Sequence, residues 1–223
     1  MDKLSNIFNA VIPAREFDEI LINKNILPFG NSNLLEHKIK QLQKVDAIDN
    51  IYVSTDSDIY KDIALSNSAI VLERPQEFSG KGAVFNKFVK HISTLLPQGN
   101  ILWTPVTTPL VDENDYTSAI QKYQEFFGKP YDSLITVNKV KRYILDENGP
   151  LNFRADILKR NQSSLPDLYE YVNGINIAPC DSLKKWEYNW GHTPYKLTLP
   201  RNKQVDICSL EDYELAKYLF SNQ

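Results

Sequence analysis

The stretch Ala10-Val-Ile-Pro-Ala-Arg15, followed by nine residues and then Asn25, organises the chain. An apolar run from Ile7 to Ile12, with Asn9 inside it, stops at Pro13 and reads as a buried first strand. Beyond it, Glu16-Phe-Asp-Glu-Ile-Leu-Ile22 carries no strand or helix signal and closes on Asn23-Lys24-Asn25. A strand that delivers Arg15 and Lys24 to one loop, ahead of a long helix, suggests a phosphate site at the carboxyl edge of a sheet. The other reading is two solvated basic residues in a surface loop.

Strand and helix signals then alternate. Asn31-Ser-Asn33 can cap a helix from Leu34 to about Val45, with Leu34, Leu35, Ile39 and Leu42 on one face. Strands are expected at Ile51–Asp56, Ala69–Leu72, Asn100–Trp103 and Tyr131–Val137. Between them fall helices beginning at Ser57-Asp58, carrying Phe85, Phe88, Val89, Ile92 and Leu96, and running from Asp112 to about Phe127. Such alternation with short connections predicts a doubly wound α/β fold with a mostly parallel sheet, whose ligands bind outside the carboxyl ends of the strands. The tips gathered there are Arg15 to Asn25, Ser54 to Asp56, Arg74 to Lys81 and Thr104 to Thr108.

After residue 137 the pattern changes. Asp146-Glu-Asn-Gly-Pro150 fits a hairpin turn, and a long excursion precedes a strand at Ile175–Ala178. Residues 138–200 therefore read as an inserted arm for dimerisation or the acceptor substrate, and 1–137 with 201–223 as the main α/β domain. Lys203–Cys208 reads as a last strand, and Ser209 with Asp212 as the capping box of a last helix.

Composition narrows the class. The 223 residues carry a net charge of −3 with acids and bases mixed, and no basic stripe suggests a nucleic-acid partner. No apolar stretch is long enough to span a membrane, and the N-terminus lacks a signal pattern, so a soluble cytoplasmic protein is expected. Cys180 and Cys208 are too isolated for a disulfide framework or a zinc site, and His37, His91 and His192 have no ligand-like spacing. A Gly-x-Gly-x-x-Gly turn after the first strand is missing, which argues against dinucleotide chemistry.

Six motifs in order resemble the cytidylyltransferases that activate acidic sugars, above all the CMP-sialic acid synthetases. They are Ile12-Pro-Ala-Arg15 with Lys24-Asn25, Val53-Ser-Thr-Asp56, Arg74-Pro-Gln-Glu-Phe78, and Val106-Thr-Thr-Pro-Leu110. Leu165-Pro166 with Tyr169 and Asn173-Gly174, and finally Asp206-Ile-Cys208, complete the set. The resemblance implies a Rossmann-like nucleotidyltransferase fold, CTP and an acidic sugar as substrates, and a homodimer. It gives Arg15 and Lys24 the triphosphate, Asn25 and Arg74 the nucleoside, Thr107 and Thr108 the adjoining tip, and Asp206 a Mg²⁺ ion.

The chain also departs from the pattern. Glu16, Phe17, Asp18 and Glu19 stand where the family has a glycine-rich run, and acids there repel phosphate unless they point away. Cys208 replaces a second metal-site aspartate, Lys81 an acid, Phe85 a hydroxyl, and Pro105 a base-reading glutamine. Around Asn161–Ser164 the basic residue expected to hold the sugar carboxylate is missing, leaving Lys159 or Arg160 in a shifted register. These departures keep open a non-catalytic relative that binds a nucleotide or a partner protein.

Overall fold

A computed structural model describes residues 6–154 and 161–222. Its central sheet is built from β1 (Phe8–Pro13), β2 (Asn50–Thr55), β3 (Ile70–Glu73), β4 (Asn100–Trp103), β5 (Ser133–Val140), β6 (Leu168–Pro179) and β7 (Pro194–Thr198). Their order across the sheet is β7-β5-β6-β4-β1-β2-β3. All pairings are parallel except those of β6, which runs antiparallel to both β4 and β5. The helices are α1 (Leu34–Leu42), α2 (Asp58–Ser66), α3 (Phe85–Leu95), α4 (Glu113–Phe126), α5 (Cys180–Trp186) and α6 (Leu210–Ser221).

Both faces of the sheet are covered, as an α/β fold of this kind requires. Phe8, Ala10 and Ile12 of β1 point into a core shared with α1, α2, α4 and α6. Val11, one residue out of phase, points into a second core with Phe88, Val89 and Ile92 of α3 and Leu183 of α5. That double burial is why β1 reads as a continuous apolar run.

Local signals hold where backbone chemistry is explicit. The Asn33 side chain caps α1 by accepting the Glu36 N–H at 3.0 Å. Ser209 and Asp212 form the reciprocal capping box of α6, and Asp112 with Asp115 forms one for α4. The hairpin at Asp146–Gly149 is present, with the Asp146 carboxylate accepting both Asn148 and Gly149 N–H groups. α1 ends at Leu42, short of Val45.

Other expectations change. Residues 204–208 form no strand: a short 3₁₀ turn at Arg201–Lys203 precedes them, and the Ile207 N–H donates to Thr107 O at 2.8 Å. The segment crosses the loop after β4, tied to a loop where a ladder was expected. Two elements, α5 and β7, carried weak signals: a seven-residue helix behind Pro179, and Tyr195 and Leu197 alternating with Lys196 and Thr198. With β6 and β7 in the central sheet, residues 168–179 and 194–198 belong to the α/β body.

Candidate active site

Three backbone ties set the strand tips side by side. The Ala14 N–H donates to Ser54 O (2.9 Å), Arg74 N–H to Thr55 O (3.0 Å) and Thr104 N–H to Val11 O (3.0 Å). Each continues a parallel pairing past the strand end, so Arg15, Arg74 and the Thr104–Leu110 loop open on the same edge. A cleft of about 410 Å³ lies there, lined by Arg15, Asp18, Lys24, Asn25, Arg74, Thr107, Asn173, Asp206 and Cys208, with Phe85 and Phe88 on its apolar wall.

Six of the seven residues singled out from sequence meet in this cleft; Thr108 does not line it. The Thr108 side chain is buried, and its hydroxyl has no hydrogen-bond partner among the described residues. The structure does not bring Thr108 into the cleft with the other six. Proline on either side of Val106–Thr108 turns the loop so that Thr107 faces out and Thr108 faces in.

The acidic run between Arg15 and Lys24 folds around its own acids. Glu16 turns to the start of α2, accepting the Ser57 hydroxyl at 3.0 Å, while its N–H donates to Asp56 Oδ1 at 2.9 Å. Asp18 accepts the Ile20 and Leu21 N–H groups (3.0 and 2.9 Å) and pairs with Lys24 at 2.5 Å. Burial raises the Asp18 carboxyl, but the Leu21 N–H, Lys24 and Ile20 N–H outweigh it and hold its pKa below the usual range. Glu19 is exposed. Asp18 thus folds the loop, and among the described residues it is the acid that pairs with Lys24. Asn25 closes the loop, donating from Nδ2 to Arg15 O at 2.7 Å.

The two arginines differ from Lys24. Arg74 lies flat on Phe88, 3.7 Å from the ring centroid, and donates from Nε and Nη2 to Phe78 O. Burial, then the nearby Arg15 charge, lowers its pKa to about 10, against the opposing pull of Asp56. Arg15 has the Phe17 ring 5.8 Å from its guanidinium carbon. Among the described residues neither arginine forms an ion pair. Two guanidinium groups facing one cleft without carboxylates are a site for an anion.

Across the cleft, burial raises the Asp206 pKa, while its hydrogen bond to the Thr107 side chain and the charge of Lys24 pull it back. The Cys208 thiol is pushed up by partial burial and by Asp206. Among the described residues no group of three or more His, Cys, Asp or Glu side chains is placed to hold a metal alone. Asp206 is a hard carboxylate oxygen donor of the kind that Mg²⁺ takes.

A second cavity of about 390 Å³ adjoins, lined by Asn138 to Arg142, Gln162, Glu170, Arg201 and Gln204. Glu170 and Gln204 stand three and two residues from Asn173 and Asp206 of the first cleft, so one strand and one loop serve both. Lys139 and Lys141 both pair with Asp167, at 2.7 and 2.6 Å, whereas Arg142 and Arg201 form no ion pair among the described residues. Neither arginine stood out in the sequence, where each is one basic residue in a mixed loop. Lys159 and Arg160 lie outside the described residues. Asn173, quoted only within a motif, reaches the cleft through a β-bulge in β6 between Tyr171 and Asn176.

A mostly parallel sheet with Arg15, Lys24 and Arg74 gathered at its carboxyl edge puts the chain in the α/β class whose ligands bind at that edge. The sequence places it further: residues 9–169 match the family model described as Cytidylyltransferase, and the chain belongs to that family. It is 28% identical to the N-acylneuraminate cytidylyltransferase of Escherichia coli O18:K1:H7, covering 93% of this chain and 50% of that protein. The chain thus spans about half the length of that relative. It is 24% identical to a pseudaminic acid cytidylyltransferase of Campylobacter jejuni, covering 94% of each. The fold is also that of a CMP:2-keto-3-deoxy-manno-octonic acid synthetase solved with CTP, at TM-score 0.71 and 11% identity over 97% of this chain and 99% of that one. A 4-diphosphocytidyl-2C-methyl-D-erythritol synthase from Anaerococcus prevotii shares it at TM-score 0.66 and 16% identity, over 97% and 99% of the two chains.

Proposed function

We propose that this protein transfers CMP from CTP to an acidic sugar, releasing pyrophosphate. The observation that carries the reading is the pair of guanidinium groups, Arg15 and Arg74, open to the cleft without carboxylate partners. An acceptor hydroxyl oxygen attacks the α-phosphorus in line; the new O–P bond forms as the bond to the bridging oxygen breaks. Pyrophosphate leaves with that electron pair, and the hydroxyl proton is released. Arg15 and Lys24 bind the phosphates and offset charge gathering on the leaving group, Lys24 exchanging Asp18 for phosphate oxygen. Arg74 and Asn25 face the nucleoside, and Phe85 and Phe88 give it an apolar wall. Asp206 would hold Mg²⁺, which supplies further neutralisation of phosphate charge when bound.

The second cavity supports an acidic acceptor. Arg142 and Arg201, which form no ion pair among the described residues, would take the carboxylate, with Gln162, Asn138 and Gln204 as polar neighbours. The homologues named for N-acylneuraminate and pseudaminic acid point to the same class. We also place the enzyme in the cytoplasm as a homodimer without nucleic-acid partners. Support for the dimer comes from Tyr143, Leu145 and Leu151, large apolar side chains left exposed on the excursion. A dimer mass by light scattering is the expected result; a monomer at micromolar concentration removes this part.

Pyrophosphate release with CTP, Mg²⁺ and a panel of N-acylneuraminic, pseudaminic and 2-keto-3-deoxy-manno-octonic acids tests the activity. At least one acid should give a CMP-conjugate while neutral hexoses give none; silence across the panel contradicts the proposal. The Asp18–Lys24 pair and Cys208 favour one second reading, a relative that binds CTP without turning it over. Calorimetric binding of CTP with no pyrophosphate release from any acceptor would establish it.

A further inference from the structure

α1 clamps the loop after β4 with three consecutive-turn side chains. His37 Nε2 donates to Pro109 O at 3.1 Å, Gln41 Nε2 to the same oxygen at 2.8 Å, and Lys38 Nζ to Thr108 O at 2.9 Å. Lys38 also donates to the Tyr116 hydroxyl at 2.6 Å, which lies 2.7 Å from Thr104 Oγ1. Its side chain is 0% exposed, among Leu34, Leu35, Ile39 and Leu42 of its own helix. The transfer of CMP as described above makes no use of it.

A charge in such a place is expensive unless it is bonded and compensated. Here the ammonium has two oxygen partners, the Tyr116 ring at 5.2 Å, and the fields of Asp115, Asp112 and Asp206. Both ends of the loop are gripped: Thr104 through Tyr116, and Thr108 directly. Between the grips stands Thr107, which lines the cleft with Asp206 and whose carbonyl accepts the Ile207 N–H, one residue on from Asp206, at 2.8 Å. An apolar residue at position 38 would fill the core but leave the Thr108 carbonyl only the long 3.4 Å bond from the Val111 N–H, and would release the Tyr116 hydroxyl that holds Thr104.

We propose that Lys38 is a positioning residue of the nucleotide site, fixing the Thr104–Leu110 loop so that Thr107 and Asp206 meet the bound nucleotide. This rests on the cleft being the CTP site. Burial lowers the Lys38 pKa to about 7, with Asp115, Asp112 and Asp206 raising it. The other groups that face it are His37, itself held neutral by burial, and Tyr116, whose hydroxyl burial keeps protonated.

A double-mutant cycle read by calorimetric titration of CTP tests the proposal. Lys38→Met and Thr107→Ala should each weaken CTP binding by about fivefold to tenfold, and the double variant by no more than the larger single loss, because both act through Thr107. Lys38→Gln, which keeps an N–H donor for Thr108 O, should recover much of the loss. If Lys38→Met fails to fold, Tyr116→Phe reads the same clamp by removing one hydroxyl, and it too should weaken CTP binding non-additively with Thr107→Ala. A folded Lys38→Met that binds CTP like the parent, or losses that multiply in the double variant, overturns the clamp. A parent protein that binds no CTP instead overturns the reading of the cleft itself.

Discussion

The two cavities at the carboxyl edge of the sheet hold cations in different states. In the first cleft, Arg15 and Arg74 form no ion pair among the described residues and Lys24 is held by Asp18. The neighbouring cavity repeats the relation: Lys139 and Lys141 are held by Asp167, and Arg142 and Arg201 form no ion pair among the described residues. In both, the planar guanidinium groups are left for an anionic ligand and the ammonium groups are set by an internal acid. An aspartate beside a lysine keeps each cavity from carrying several unscreened like charges. The difference is in depth. Arg74 is packed on Phe88 and bonded to Phe78 O, whereas Arg201 is exposed, so the first site is preformed and the second is open.

That contrast can be broken in order of expected effect. Arg15→Ala should lower turnover by about a hundredfold, the usual loss when one donor to developing charge is removed, and Lys24→Ala by more than about tenfold. Steady-state pyrophosphate release measures both; an unchanged rate removes the residue from the site. Arg201→Ala should raise the acceptor KM by about tenfold while leaving the CTP KM within about twofold, the value of a lost charge-assisted bond at an exposed position. Equal changes in both KM values would merge the two cavities into one site. Asp18→Asn should tighten CTP binding by about threefold, since the partly exposed pair it removes is worth less than about 1 kcal/mol.

The smallest effect concerns pH. His37 donates to Pro109 O and packs edge-on against Phe29 and Phe220. Burial first, then the Lys38 charge, lowers its pKa to about 4 from an unfolded value of 6.5. The unfolded chain therefore takes up a proton first as pH falls, and stability is lost between pH 6.5 and 4. The melting temperature of the parent should fall over that window more steeply than that of His37→Gln.

The sequence revealed the first cleft more fully than the second for a physical reason. β1 and the tips of β2, β3 and β4 are short, regular βαβ units, so Arg15, Lys24, Arg74 and Thr107 follow directly from strand ends. Asp206 was reached as a residue, but its assigned strand was not, since 204–208 run over a loop and meet no ladder. Thr108 fell on the wrong side of its loop because neighbouring hydroxyls look alike until the prolines and the Lys38 bond fix which one turns inward. Arg142 and Arg201 are 59 positions apart and come together because β7 pairs in parallel with β5, a pairing no local periodicity encodes. The acids of the 16–19 run could be counted but not aimed; Glu16 reaches Ser57, and Asp18 folds its own turn.

The most direct test of this arrangement is the electron density of crystals grown with CTP. The β- and γ-phosphates should lie within hydrogen-bond reach of Arg15 and Lys24, with Lys24 released from Asp18 and the cytidine against the Arg74–Phe88 side of the cleft. A triphosphate bound elsewhere, or one in the cleft that touches neither Arg15 nor Lys24, would contradict the account.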